Sequence, residues 1–179
     1  MSAPIDLGWS LSEIADAVDG RLVGEDAIVR RIETDTRAAL AGSLFVALTG
    51  ERFDGNAFAV EAIDGGAVGV VVQAGASAAV PRIEVESTSD ALLALGAKRR
   101  SELTMPVVAI TGSAGKTSTK DLIAAGIAGS HASPKSFNNE VGVPLTVLGV
   151  PDDATALVLE VGSRGRGHIA WLGPAVRPD

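Results

Sequence analysis

An α/β fold is predicted from three observations. First, the run Val107-Val-Ala-Ile-Thr-Gly-Ser-Ala-Gly-Lys-Thr-Ser-Thr119 passes from a strand-like apolar stretch through glycines to a lysine, hydroxyls and the start of a helical pattern. Second, short apolar runs alternate with helix-period stretches from Ser10 to Glu102. Third, 46% of the 179 residues are hydrophobic and the mean hydropathy is +0.30, which suits a buried core and argues against disorder. The expected architecture is a small N-terminal α/β domain over residues 1–104, followed at 105–179 by a truncated parallel-sheet domain built on a phosphate loop. Thr104-Met105-Pro106 punctuates the chain between them, with no long linker.

Taken in order, Ser10-Leu-Ser-Glu13 matches a capping box, and Leu11, Ile14, Ala15 and Val18 follow at helical spacing until Gly20. Arg21 to Val23 and Ile28 to Glu33 read as short strands around the Gly24-Glu25-Asp26 turn. The polar cluster Thr34-Asp-Thr-Arg37 precedes a buried strand, Gly42 to Leu48, and a second polar cluster, Gly50-Glu-Arg-Phe-Asp-Gly-Asn56, follows it. Two polar clusters bracketing one apolar strand are expected to lie near each other as a ligand rim, with a pair of ordinary turns as the alternative. Residues 57–65 then read as helix, Ala67 to Val72 and Arg82 to Val85 as strands, and Ser89 to Glu102 as a helix capped at Thr88 or Ser89. The basic triplet Lys98-Arg99-Arg100 reads as a solvated helix end, where positive charge suits the dipole.

Beyond Pro106 comes the glycine loop. Gly112 and Gly115 let backbone N–H groups approach phosphate oxygens without a Cβ in the way, and Ser113 and Ala114 lie between them. From the first turn of the following helix, read over Thr117 to Ala128, Lys116 reaches terminal phosphates, Thr117 offers a hydroxyl to Mg²⁺, and Ser118 follows. Ile110 occupies the position where a full Walker A pattern has its first glycine, so this is the shorter Gly-x-x-Gly-Lys-Thr form. Ser136 to Glu140 is a polar loop, and Pro144 belongs to the first turn of a short helix within 141–148. Ala156 to Val161 is an apolar strand interrupted by Glu160. A carboxylate at the carboxyl edge of a strand parallel to the loop strand is placed for Mg²⁺ or its water; the alternative is a solvated strand end.

Composition removes several functions. There are no cysteines, which excludes disulfides, thiolate metal sites and a cysteine nucleophile, and only His131 and His168 are available for zinc. Aromatic residues are 3% of the chain, and the net charge of −7 arises entirely before residue 105, so a nucleic-acid partner is not expected. The first twenty residues contain no Lys or Arg, and the Ala67–Val80 run is broken by Gly69, Gln73, Gly75 and Ser77. Neither a secretory signal nor membrane insertion is expected, and a cytoplasmic location is the default.

Three spaced motifs, Thr111-Gly-Ser-Ala-Gly-Lys-Thr-Ser118, Asn138-Asn-Glu-Val-Gly-Val-Pro-Leu145 and Leu159-Glu-Val-Gly162, resemble the ATP-binding half of the Mur ligases. Thr34-Asp-Thr-Arg37, Gly42 to Leu48 and Gly50 to Gly55 resemble that family's UDP-muramyl-binding domain. Within the family the loop and the Asn-Asn segment are most similar to the member that joins D-alanyl-D-alanine to UDP-N-acetylmuramoyl-tripeptide. The resemblance implies an ATP- and Mg²⁺-dependent amide-forming ligase acting through an acyl phosphate, a monomer when full length. It implies ATP contacts at Gly112, Ser113, Ala114, Gly115, Lys116, Thr117 and Ser118, and catalytic roles for Lys116, Asn138 and Asn139. Metal ligation falls to Thr117 and Glu160, and the UDP-sugar to Thr36, Arg37, Arg52, Phe53, Asp54, Gly55 and Asn56.

Two departures are visible: Asn56 stands where the family commonly has His, and His168 where Glu is usual. Other open readings are the third-residue-adding ligase, whose loop usually has Thr-Asn where this chain has Ser113-Ala114, and a non-catalytic binding module. Family members are more than twice as long. The 179-residue chain alone is therefore expected not to turn over, for want of later strands and an acceptor site.

Overall fold

A computed structural model describes residues 5–50, 53–76 and 80–179. Contacts divide the chain into two compact units, one over Asp6–Leu92 and the other containing Leu93–Asp179, so the division falls within a single long helix.

The first unit opens with β1 (Trp9–Ser10), α1 (Leu11–Ala17), β2 (Arg21–Val23), β3 (Ile28–Val29) and β4 (Arg31–Glu33). The capping box is present as read: the Ser10 hydroxyl accepts from the Glu13 N–H at 3.1 Å, and the Glu13 carboxylate accepts from the Ser10 N–H at 2.8 Å. β1 and β3 pair antiparallel through Trp9 and Val29. After β5 (Ser43–Val46) come β6 (Thr49–Gly50) and β7 (Phe53–Asp54), a 3₁₀ turn at Gly55–Phe58, α2 (Ala59–Asp64), β8 (Gly69–Gln73) and β9 (Arg82–Val85). The main sheet runs β2-β9-β8-β5-β4, parallel except where β2 joins β9 antiparallel.

β5 is buried along its whole length, as are the first four residues of β8, as expected for central strands covered on both faces. On one face Phe45, Ala47, Val70 and Val72 pack with Ala59 and Ala62 of α2. On the other, Leu11 of α1 lies so close to β8 that a Cβ on Gly69 would come within 2.9 Å of it.

The long helix is α3 (Thr88–Glu102). Its cap is one residue earlier than expected, since the Ser87 hydroxyl accepts from the Asp90 N–H at 3.2 Å. The basic triplet also needs correction. Arg99 and Arg100 are buried rather than solvated: Arg99 donates to the Val150 carbonyl at 2.9 Å, and Arg100 donates to the carbonyls of Leu103, Val176 and Arg177. Several donors on one rigid planar group allow each arginine to satisfy loop and helix-end carbonyls that would otherwise be orphaned.

The second unit continues with β10 (Val107–Ile110), α4 (Lys116–Gly126), β11 (His131–Ala132), α5 (Gly142–Leu148), β12 (Leu157–Glu160) and α6 (His168–Val176). Its sheet is all parallel in the order β10-β12-β11, with Ile110 opposite Glu160. Val143, Val147, Leu157, Leu159, Leu172 and Ala175 form its core, each buried leucine contributing about 1.5–3 kcal/mol. Gly96 allows α3 to approach α5 and α6, since a Cβ there would lie 3.0 Å from Pro144 and 3.3 Å from Ala175. Among the described residues, no helix is long and apolar enough to cross a membrane.

His131 on β11 is half-buried, and burial pushes its imidazole below the ordinary value of 6.5, opposed in part by a hydrogen bond with the Thr146 backbone. The native state therefore takes up its proton at lower pH than the unfolded chain does. This leaves stability unaffected above about pH 7 and erodes it as pH falls through about 6.5, by at most about 1.4 kcal/mol per pH unit. Urea midpoints at pH 7.5 and 5.5 should fall further on acidification in the wild type than in His131→Gln. Equal falls in the two proteins would remove His131 as the cause.

Candidate active site

The second unit's site is assembled where β10 ends. Gly112 and Gly115 adopt φ values of +152° and +75°, conformations that side chains rarely tolerate, so the loop can turn tightly after Thr111. Gly115 leads directly into α4, whose first-turn N–H groups and positive dipole end point at the loop. The Lys116 ammonium donates to the Gly112 carbonyl at 2.7 Å, which folds its charge back over the loop. Ser113, Ala114 and Ser118 are exposed around it.

Glu160 ends the neighbouring strand and is 1% exposed. Its carboxylate has a partner on each oxygen: the Thr117 hydroxyl donates to Oε2 at 2.7 Å, and the Asn138 amide donates to Oε1 at 2.7 Å. Its backbone N–H donates to the Ser133 hydroxyl at 3.1 Å. Lys116, Thr117, Asn138 and Glu160 thus share one cavity of about 320 Å³ with Gly115, Ser118 and Ser136. Two hard oxygen donors, a hydroxyl and a carboxylate beside an anion-binding loop, fit Mg²⁺, which is commonly held by few protein oxygens together with waters and phosphates. These residues therefore suit the metal that the sequence implies.

Asn138 and Asn139 diverge in what they do. Asn138 reaches Glu160, and its backbone carbonyl accepts from the Gly162 N–H at 2.7 Å. Asn139 instead caps α5, its side-chain oxygen accepting from the N–H groups of Val141 and Gly142 at 3.2 and 2.7 Å. It still lines a second cavity of about 220 Å³, together with Lys116, Asn138, Gly162, Ser163, Arg164 and His168. There Arg164 pairs with Glu140, and the Arg164 N–H donates to His168 Nδ1 at 3.1 Å. His168 Nε2 lies 3.8 Å from Glu140, so the histidine that departs from the family pattern has a defined place beside the loop.

In the first unit the two polar clusters line separate cavities. Thr34, Asp35, Thr36 and Arg37 border about 520 Å³ with Phe45, Phe58 and Glu61. Asp54 and Asn56 border about 400 Å³ with Ala57, Gln73, Ala74 and Ala76. Arg37 is bound in cis: its guanidinium donates to both Asp35 oxygens, and this pairing holds the Asp35 carboxyl down to about 2. The Asp54 carboxylate accepts from the Asn56 N–H and side-chain amide at 3.0 and 2.7 Å, and Asn56 in turn accepts from the Gln73 N–H at 3.2 Å. Gly55 has no room for a side chain, because a Cβ would meet the Leu48 carbonyl at 2.4 Å. Arg52 lies outside the described residues. Phe53 is placed by its backbone in β7, and its side chain is outside the description.

Ser133, which supports Glu160 from β11's end, is not marked in the sequence, and although His168 stands out there as a departure and Glu140 as part of a motif, the Glu140–Arg164–His168 grouping does not. Neither has a local pattern of its own. Only the register of β11 and β12 brings Ser133 to Glu160.

A parallel sheet, a glycine loop leading into a helix that begins Lys-Thr, and a buried carboxylate on the next strand define an α/β protein with a phosphate-binding loop. Two family models match this chain, the Mur ligase family catalytic domain over residues 28–100 and the Mur ligase middle domain over residues 110–179. The chain belongs to the Mur ligase family. The UDP-N-acetylmuramoyl-tripeptide–D-alanyl-D-alanine ligase of Synechocystis is 40% identical over 162 residues, covering 87% of this chain and 36% of that protein. The crystal structure of MurF from Acinetobacter baumannii superimposes with a TM-score of 0.87 at 31% identity, over 98% of this chain and 40% of that one. MurF of Thermotoga maritima, solved in complex with ADP, gives 0.75 at 31% identity over 84% and 36%. The chain therefore spans about 40% of the length of the relatives it matches.

Proposed function

We propose that this chain forms the UDP-muramyl-peptide-binding and ATP-binding parts of a ligase that joins D-alanyl-D-alanine to UDP-N-acetylmuramoyl-tripeptide. Residues 1–104 take the UDP-sugar and residues 105–179 take Mg²⁺-ATP. The observation that carries this reading is the joint hold of Thr117 and Asn138 on buried Glu160 beside the glycine loop. The relatives' names and the ADP complex of the Thermotoga protein support it.

When bound, ATP supplies the γ-phosphoryl group that converts the tripeptide's terminal carboxylate to an acyl phosphate, from which the amine of D-alanyl-D-alanine displaces phosphate. This chain's residues supply position and charge. The loop N–H groups and Lys116 neutralise phosphate oxygens, which is the main demand of phosphoryl transfer. Thr117 and Glu160 hold Mg²⁺, and Asn138 keeps the Glu160 carboxylate aimed. Lys116 and Asn139 border the adjoining cavity, where the reacting carboxylate approaches. In the first unit, Thr36 and Arg37 serve the UDP-sugar, with Asp54, Gly55 and Asn56 forming the second contact region and Arg52 and Phe53 completing that segment.

Calorimetric titration of the chain with ATP, in Mg²⁺ and in EDTA, is the test. Binding that tightens in Mg²⁺ is expected. A folded chain that releases no heat with millimolar Mg²⁺-ATP would overturn the proposal.

A further inference from the structure

One buried cation in the second unit has no part in the chemistry above. Lys120 lies on α4 one turn beyond Lys116 and Thr117, and only 3% of it is exposed. A lysine ammonium carries three donors and is strongly hydrated, so it is kept from water only where carbonyls or carboxylates replace that hydration. Here three oxygens do so. Lys120 Nζ donates to the Ser133 carbonyl at 2.8 Å and to the Lys135 carbonyl at 3.1 Å, and it pairs with the Asp121 carboxylate at 2.9 Å.

Two of those partners belong to the segment that supplies the rest of the site. Ser133 accepts from the Glu160 N–H through its hydroxyl and donates its own N–H to the Val158 carbonyl at 3.1 Å. Lys135, at φ +51°, occupies the left-handed region that residues with a Cβ seldom adopt, and its carbonyl is one of the two that accept from Lys120. Three residues later the same segment delivers Asn138 to Glu160. Lys120 therefore joins the helix bearing Lys116 and Thr117 to the loop bearing Ser133 and Asn138, and both sides converge on one carboxylate.

We infer that Lys120 is a positioning residue of the nucleotide site: its ammonium clamps residues 133–138 to α4 and so fixes Glu160 for the metal, without touching nucleotide itself. The inference rests on the proposed Mg²⁺-ATP site. It deepens that reading by separating two functions of α4, with Lys116 addressing phosphate and Lys120 addressing the metal ligand through a loop.

The expected signature is selective. In Lys120→Met the loop N–H groups and Lys116 remain, so ATP in EDTA should bind within about threefold of wild type. The extra affinity conferred by Mg²⁺ should fall by about tenfold or more, the scale of one lost charge-assisted hydrogen bond. Lys120→Arg, which restores a buried cation with several donors, should recover part of it. The Asn138 side-chain amide, held on Glu160 in the wild type, should shift in the NMR spectrum of Lys120→Met toward the position of an unbound amide.

Calorimetry with ATP in Mg²⁺ and in EDTA reads the effect, and circular dichroism checks folding. If Lys120→Met does not fold, Lys120→Gln decides, since it keeps a donor for one of the two carbonyls while removing the charge, and it should lose part of the same Mg²⁺ increment. A wild type that binds no nucleotide would sink the proposed function and this inference with it. A wild type with a clear Mg²⁺ increment that folded Lys120→Met keeps in full, or a parallel loss of affinity with and without Mg²⁺, would overturn the role of Lys120 alone.

Discussion

Replacing Lys116 with alanine should raise the dissociation constant for Mg²⁺-ATP by at least about a hundredfold. Hydrogen bonds to charged groups contribute about 1.5–3 kcal/mol each, and the lysine has three donors to spend on phosphoryl oxygens, so losing two such bonds corresponds to about 3–6 kcal/mol. In the loop Lys116 donates to the Gly112 carbonyl, an accessible group that water can satisfy when the ammonium is gone. Folding should therefore survive the change, and thermal melting of the variant should coincide with the wild type. Calorimetry then isolates binding, and an isotherm for folded Lys116→Ala that matches the wild type would remove Lys116 from the site.

Gly142→Ala should act on stability instead. A Cβ at Gly142 would lie 2.6 Å from the Phe137 Cα, 2.7 Å from its Cβ and 2.8 Å from its carbonyl carbon. The nearest and third-nearest of these are backbone atoms, so no rotamer change relieves the overlap and the Phe137–Asn138 segment must move. Overpacking of this kind costs about 1–3 kcal/mol, and a unit of this size loses about 4–8 °C in Tm for each kcal/mol. A fall of about 10 °C is expected, together with a weaker Mg²⁺ increment because Asn138 moves with the segment. Gly126→Ala is the control: it lies near the end of α4 with nothing within 4 Å of its added methyl, so it should be neutral or slightly stabilising. Equal melting temperatures for Gly142→Ala and wild type would show that the segment yields freely.

Local chemistry was legible in the sequence where it is governed by near neighbours. The Ser10–Glu13 capping box, the Gly112–Lys116 loop and the burial of β5 each follow from residues within a few positions, and each is present in the structure. The partnership of Thr117 with Glu160 was within reach as well, because strand order around a phosphate loop places the two strand ends side by side.

What was not legible depends on separation. α6 contains Gly173-Pro174, a pair that reads as a helix stop, and its Gly167 N-cap offers no side-chain bond, so only packing of Leu172 and Ala175 into the core reveals the helix. β11 is two residues long, too short for alternation to register, yet it sets the position of Ser133. Arg99 and Arg100 carry no mark distinguishing a solvated helix end from a carbonyl clamp. The carbonyls of Val150, Val176 and Arg177 that they bind lie about fifty to eighty residues further along the chain. Likewise the Thr34–Arg37 and Asp54–Asn56 clusters flank one strand in sequence, but they open onto different cavities.

The Lys116–Gly112 contact also determines what kind of molecule the loop admits. An ammonium already seated on a carbonyl gains nothing from a ligand that offers only another neutral acceptor, since one dipole merely replaces another. Phosphoryl oxygens bring formal negative charge to the same donor, which adds attraction between opposite charges to a bond whose donor is already ionised. Release of the internal contact thus works as a filter on charge. Adenosine should leave the lysine where it is, ADP and ATP should draw it away, and the loop should disfavour the unphosphorylated nucleoside without any contact to its base.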